Sequence, residues 1–255
     1  MPDVLLTRDD NGVRVLTLNR PAARNSLSRE LNGALSHALG VADADPSVRA
    51  IVLTGSDPAF CAGLDLKALA SEGASYLDDI RSDHAIRRVS EITTPVIGAI
   101  NGATFTGGLE IALGCDFLIA SERAVFADTH GRVGVLPNGG MTARLPDRVG
   151  TAWARRISLT SEVVDAALAL RIGLVTEVVA HEDLLARAVA VAAQIADGDR
   201  TTIRLLKQMY VAGWEATAGN ALETEAALAD ATPPSWDDLE ANRRQIISRN
   251  RSQLA

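Results

Sequence analysis

Apolar and polar residues alternate over Leu5 to Thr7 and again over Val13 to Leu18, with Asp9-Asp10-Asn11-Gly12 between them. That pattern predicts two strands joined as a hairpin. Asn19-Arg20-Pro21 breaks the second strand, since proline brings no N–H to a ladder. After Asn25-Ser26 the period changes. Leu27, Leu31, Leu35 and Leu39 fall four apart, which is one helical face, and the helix is expected to end by Asp43 to Pro46.

Ala50-Ile51-Val52-Leu53 and Val96 to Ile100 are continuous apolar runs of the kind found in strands covered on both faces. Phe117 to Ala120 and Ala124 to Ala127 read as further strands, and Ile111 to Leu113 as helix. Strand, helix, strand in repetition implies parallel pairing with helices outside, hence an α/β fold. Residues 55–67 read as a loop, and 68–88 as a mixed, helical stretch of variable exposure suited to shaping a substrate pocket. A second loop is expected over Asp128 to Gly140.

From Thr151 the chain reads as mainly helical. Val163, Val164, Ala167 and Leu168 form one face ended by Gly173, and Leu184, Leu185, Ala188, Val189 and Ala192 form another, with a short strand at Val175 to Val179 between them. Later helices are marked by Ile203, Leu206 and Tyr210, by Leu222 and Leu228, and by Trp236, Leu239, Ile246 and Ile247. The last carries Arg243, Arg244, Arg249 and Arg251, either a solvated face or an anion contact. No internal repeat or long linker is visible in the sequence.

Composition narrows this picture. A chain of 255 residues has room for one large domain or for one domain with a small appendage, and the second is favoured, at 1–195 and 196–255. A net charge of -7 argues against general nucleic-acid affinity. Cys61 and Cys115 stand in no metal or redox spacing, which suggests reduced thiols in a cytoplasmic protein. The N-terminus lacks a basic segment followed by an apolar core, and no apolar run is long enough to span a bilayer, so neither export nor a membrane partner is expected.

The chemistry is concentrated in Asn101-Gly102-Ala103-Thr104-Phe105-Thr106-Gly107-Gly108-Leu109-Glu110, between the strand at 96–100 and the helix at 111–113. Adjacent glycines allow close approach of a ligand to the backbone, and a helix start directs unpaired N–H groups at it. Glu110, about one turn after Gly107, brings a carboxylate near the same place. The bland alternative is a packed turn with Glu110 salt-bridged on a helix face. Serine-hydrolase, phosphate-loop and zinc-protease motifs are missing; His37, within a predicted helix, and His84 and His181, which lack a recognisable partner motif, read as structural or surface residues.

Three stretches, in this order and spacing, resemble the enoyl-CoA hydratase/isomerase family, the crotonase superfamily. They are Leu18-Asn19-Arg20-Pro21 with Asn25-Ser26-Leu27, then Phe60 to Lys67, then Asn101 to Glu110. The resemblance implies a spiral of strand-strand-helix units, a helical C-terminal region used for trimerisation and for capping the site, and a homotrimer or dimer of trimers. It implies an acyl-CoA substrate as in fatty acid metabolism, no cofactor beyond that thioester, and an enolate held by the N–H groups of Leu64 and Gly107. CoA contacts carried over by the resemblance are Arg24, the backbone of Ala62, Asp65 and Leu66, Lys67 near the phosphates, and more loosely Arg249. Phe105 is expected in the acyl pocket.

Glu110 matches the first of the family's two acid-base glutamates, but His130 stands at the second. A histidine can exchange protons near neutral pH, although it holds a bridging water differently from a carboxylate. If residues 126–130 are extended, Asp128 and His130 share a face and Asp128 can orient the imidazole; otherwise His130 merely fills the pocket. Hydration of a 2-enoyl-CoA is the expected reaction. The alternatives are enoyl isomerisation, thioester hydrolysis, decarboxylation, or acyl-CoA binding with vestigial chemistry.

Overall fold

Asn11 and Gly12 hold positive φ, 48° and 85°, as a two-residue hairpin turn requires. They join β1 (Leu5–Asp10) to β2 (Val13–Leu18) with Leu5 opposite Leu18. This hairpin opens the computed structural model, which describes residues 3–83 and 85–232. Helix α1 (Arg29–Ala44) starts where the Ser28 hydroxyl accepts from Leu31 N. It buries Leu31, Leu35 and Leu39 completely, each worth about 1.5–3 kcal/mol relative to exposure. Leu27, first in the predicted row, precedes the helix and forms a parallel bridge with Leu64.

Three strand-strand-helix units follow. The first is β3 (Ala50–Gly55), β4 (Ala59–Cys61) and the helices α2 (Leu66–Glu72), α3 (Ala74–Asp83) and α4 (Ala85–Glu91). The second is β5 (Val96–Ile100), β6 (Ala103–Phe105) and α5 (Gly107–Gly114). The third is β7 (Phe117–Ser121), β8 (Val125–Ala127), the short α6 (His130–Val133) and α7 (Met141–Thr160). After these come β9 (Val164–Asp165), α8 (Ala166–Arg171), β10 (Glu177–Val179), α9 (Leu184–Ala196) and α10 (Arg200–Ala231).

The first strand of each unit enters a six-stranded sheet of order β1-β2-β3-β5-β7-β10, parallel from β2 onward. The second strand enters a smaller sheet of order β4-β6-β8-β9. One face of the large sheet, with Val13, Val15, Val52, Ile97 and Ile119, packs on Leu184, Ala188 and Ala192 of α9. The other face, with Leu16, Leu18, Ile51 and Leu53, packs on α1 and the interior helices. The expected α/β class and repeating layout are therefore present.

Several local expectations change. The stretches read as a loop (55–67) and a glycine turn (101–106) each contain a strand of the small sheet. Val164 is strand rather than helix, and the two helices marked at 203–210 and 222–228 are one, α10. The final predicted helix and its arginines, Arg249 included, lie outside the described residues, as does His84. Among the described residues no helix is long and apolar enough to cross a membrane.

Candidate active site

Neighbouring strands of the small sheet bring two backbone donors together. β4 leads through Ala62 into Gly63-Leu64, and β6 leads into Thr106-Gly107. Because β4 and β6 pair in parallel, these exits lie side by side. A Cβ added to Gly63, which has φ 92°, would fall 3.3 Å from Gly107 N. Leu27 N donates to Gly63 O, Asp65 N donates to Leu27 O, and the Tyr76 hydroxyl donates to Leu27 O while accepting from Asp65 N. This ladder bypasses Leu64 N. Gly107 opens α5, so its N–H has no acceptor inside the helix. Neither donor is used in the hydrogen bonds of the described residues, and both residues line one cavity. Thr106 turns the chain with φ 54° and ψ -115°, a sparsely populated conformation, and is held by its N–H on Ala127 O and its hydroxyl against Thr129.

Glu110 enters the same cavity from α5 and His130 from α6. His130 Nε2 lies 3.8 Å from Glu110 Oε2, and its Nδ1 lies 2.7 Å from Asp128 Oδ1. Asp128 also accepts from His130 N and is bonded by Ser158. The extended backbone expected over 126–130 is absent, because β8 ends at Ala127 and α6 begins at His130. The pairing of Asp128 with His130 arises from this tight turn instead. The Nδ1–H donates to the aspartate, leaving Nε2 facing Glu110.

All three groups are nearly inaccessible to solvent. Burial pushes the Glu110 carboxyl up to about 7, against the opposing pull of His130. Burial opposes protonation of His130, yet the Asp128 hydrogen bond and the Glu110 charge hold its pKa above the ordinary value. Asp128 is buried too, but its bonds from His130 and Ser158 hold it below the usual carboxylate range. The Glu110-His130 pair can thus share one proton near neutrality.

The cavity holds about 400 Å³. Its apolar wall is Leu77, Ile80, Ile86, Val135, Leu136 and Ala226, and at its rim Arg81 of α3 pairs with Asp230 of α10 at 3.2 Å. Phe105 is not part of this wall. It packs with Ala59, Ala103 and Ala127 of the small sheet, a cluster separate from the cavity. Gly139 N donates to Glu110 Oε1 at 2.7 Å, and a Cβ at Gly139 would lie 2.8 Å from Glu110 Cδ.

The residues expected to bind CoA gather around the Leu64 segment and none lines the cavity. Arg24 and Lys67 are exposed, and Ala62 N donates to Arg24 O. The Asp65 carboxylate caps α2 through Lys67 N and pairs with Arg20 at 3.0 Å, so Leu66 begins a fixed helix. The sequence reading missed Gly139, Arg87, Asn138 and Glu225. The Gly139-Gly140 pair was a visible signal; Glu225, inside a featureless helix, offered none.

The chain matches the enoyl-CoA hydratase/isomerase family over residues 8–242. It is 37% identical to a probable enoyl-CoA hydratase of Mycobacterium leprae, covering 93% of each chain. A crystal structure of an enoyl-CoA hydratase from Mycobacterium tuberculosis H37Rv superposes with a TM-score of 0.83 at 49% identity, over 90% of this chain and 99% of that one. A monofunctional enoyl-CoA isomerase from M. smegmatis gives 0.73 at 35% identity, over 84% and 95%.

Proposed function

Since this chain belongs to the enoyl-CoA hydratase/isomerase family, we propose that it adds water reversibly to a 2-enoyl-CoA thioester, with Glu110 as base and His130 as acid. It is an enzyme of the hydro-lyase type. The observation that carries the mechanism is the 3.8 Å gap between Glu110 and His130 beside two unpaired N–H groups. A water about 2.8 Å from both atoms fits such a gap.

In this mechanism the thioester oxygen takes the Leu64 and Gly107 N–H groups. Glu110 removes a proton from the water, the oxygen adds to the β-carbon, and negative charge moves to the thioester oxygen, where fixed donors stabilise the transition state more than the substrate. The His130 imidazolium then gives its Nε2 proton to the α-carbon, and transfer from Glu110 back to His130 restores the start. Asp128 keeps the imidazole in the required orientation and favours its charged form. No cofactor beyond the thioester is needed for these steps.

The test is incubation with short and medium 2-enoyl-CoA substrates, following loss of conjugated-thioester absorbance and identifying products by mass. A product heavier by one water is expected; a shifted double bond would select the isomerase reading, and free CoA a hydrolase. The kcat/KM profile should be bell-shaped, rising as Glu110 ionises and falling as His130 loses its proton. In Asp128→Asn the alkaline limb should move to lower pH, because the bond that raises His130 is weakened. An unmoved alkaline limb would remove Asp128 from the mechanism.

CoA is assigned to Arg24, the backbone of Ala62, Asp65 and Leu66, and Lys67. Residues 196–255 are assigned to capping and assembly as a homotrimer or dimer of trimers. Support comes from Ala226 and Asp230 of α10 at the cavity, and from exposed Leu205, Met209 and Tyr210 on the same helix. Light scattering after gel filtration should give three or six chain masses; a monomer would refute the assembly. The free, buried Cys61 and Cys115 fit a cytoplasmic location.

A further inference from the structure

We propose that Arg87 is a positioning residue for Glu110, acting through the peptide group between Asn138 and Gly139. The inference rests on Glu110 being the base of the proposed reaction.

Arg87, on α4, donates from Nε and Nη2 to the Asn138 carbonyl oxygen at 3.2 and 3.1 Å, and from Nη2 to Asn138 Oδ1 at 2.6 Å. The Asn138 carbonyl and the Gly139 N–H belong to one amide. At its other end this amide donates to Glu110 Oε1 at 2.7 Å. Because an amide is planar, fixing its oxygen fixes the direction of its N–H. A guanidinium at the oxygen also draws electron density from the nitrogen, which strengthens donation to a carboxylate. Within the described residues every hydrogen bond of the Arg87 guanidinium goes to Asn138, two to its carbonyl and one to its side chain, so its charge is directed at this one residue.

The neighbours are consistent with a built support. Ile86, next to Arg87, closes on Gly139 so tightly that a Cβ there would lie 2.4 Å from its Cγ2. One residue further on, Gly140 N donates to Glu225 Oε1 at 2.6 Å, and Thr142 N donates to Glu225 Oε2 at 2.6 Å. The peptide groups 138–139, 139–140 and 141–142 are thus fixed from α4, α5 and α10. The charged groups around Glu110 are His130 from α6, Asp128 from the turn before it, Glu225 from α10, and Arg87 through the amide. The two other carboxylates oppose ionisation of Glu110, while His130 and the Gly139 N–H favour it. Arg87 reinforces the second of these.

Two readouts test this in Arg87→Met, which keeps the aliphatic stem and loses the donors. The first is the Glu110 titration midpoint, read from the labelled carboxyl carbon by NMR without substrate. The second is the pH profile of hydration. The midpoint and the acidic limb should rise together by about half a unit to one unit, with kcat down about tenfold and KM within about twofold. Arg87→Lys, with one compact donor, should fall between wild type and Arg87→Met; it carries the test if the methionine variant does not fold. A folded variant with an unmoved midpoint, or a defect confined to KM, would overturn the proposal. Should wild type fail to hydrate while the midpoint still shifts, the positioning role stands and the hydratase reading falls. Hydration with an unmoved midpoint gives the reverse.

Discussion

Glu110→Gln is expected to lower kcat by about 10³, within the range that general acid-base groups contribute, while making the protein more stable at pH 8. Glutamine keeps the shape and can still accept from Gly139 N, so the cavity and the Leu64 and Gly107 donors remain and KM should change little. What disappears is the ability to take a proton from water.

The stability gain follows from the raised pKa. A carboxyl raised from 4.5 to about 7 on burial is favoured when neutral. Below the unfolded value both states are protonated and nothing is lost. As pH climbs from there through the folded value, the native state loses about 3 kcal/mol, at 1.36 kcal/mol per unit. Part of that rise comes from the Glu225 and Asp128 charges beside burial, with His130 opposing it, so a gain of about 2–3 kcal/mol at pH 8, vanishing toward pH 5, is the expected result. Denaturant melts at the two pH values, with single-turnover rates, check both halves. An active Gln variant would end the role of Glu110 as base.

Gly108→Ala should be the most damaging single-methyl change near the site. The added Cβ would lie 2.0 Å from the Cys61 carbonyl oxygen and 2.8 Å from its carbon. These are backbone atoms, which cannot rotate aside, so α5 and β4 must separate. Overpacking of this kind is expected to cost about 3 kcal/mol or more. For a chain of this size that corresponds to a melting temperature lower by roughly 10 °C. Separation also moves Gly107 relative to Leu64, and loss of one oxyanion donor lowers kcat about 10²–10³-fold. At Gly107 a methyl meets only ordinary contacts at 3.5 Å and beyond, so the adjacent glycine does not share this crowding. Wild-type melting and turnover in Gly108→Ala would show that the two elements are less tightly apposed than described.

The large sheet was legible because β2, β3, β5 and β7 are long enough to show alternation or an unbroken apolar run. The small sheet was not. β8 was read as a strand, but β4 and β6 have three residues each, too few for a period, and they sit among glycines and a proline that read as turns. The repeat was implied by the resemblance alone: it lies in the topology, whereas the sequences of the three units share no visible pattern. Glu110 and its glycines could be read from local chemistry, and His130 from the resemblance. The partnership of Asp128 with His130 was anticipated from a backbone geometry that does not occur. Arg87 and Glu225 act on a loop far from them in sequence, and no local pattern announces such a contact.

The two backbone donors proposed to hold the thioester oxygen leave adjacent parallel strands, whose spacing of about 4.8 Å sets the scale of their separation. The acyl wall comes from different material, the helices α3, α4 and α10 and the 135–139 loop. Electrophilic activation and substrate fit are therefore separable modules. A protein engineer could rebuild Leu77, Ile80 and Arg81 and the Ala226–Asp230 rim to admit a new acyl group while keeping Tyr76, whose hydroxyl braces the segment carrying Leu64 N, because none of the rebuilt residues belongs to the strands that carry the two donors.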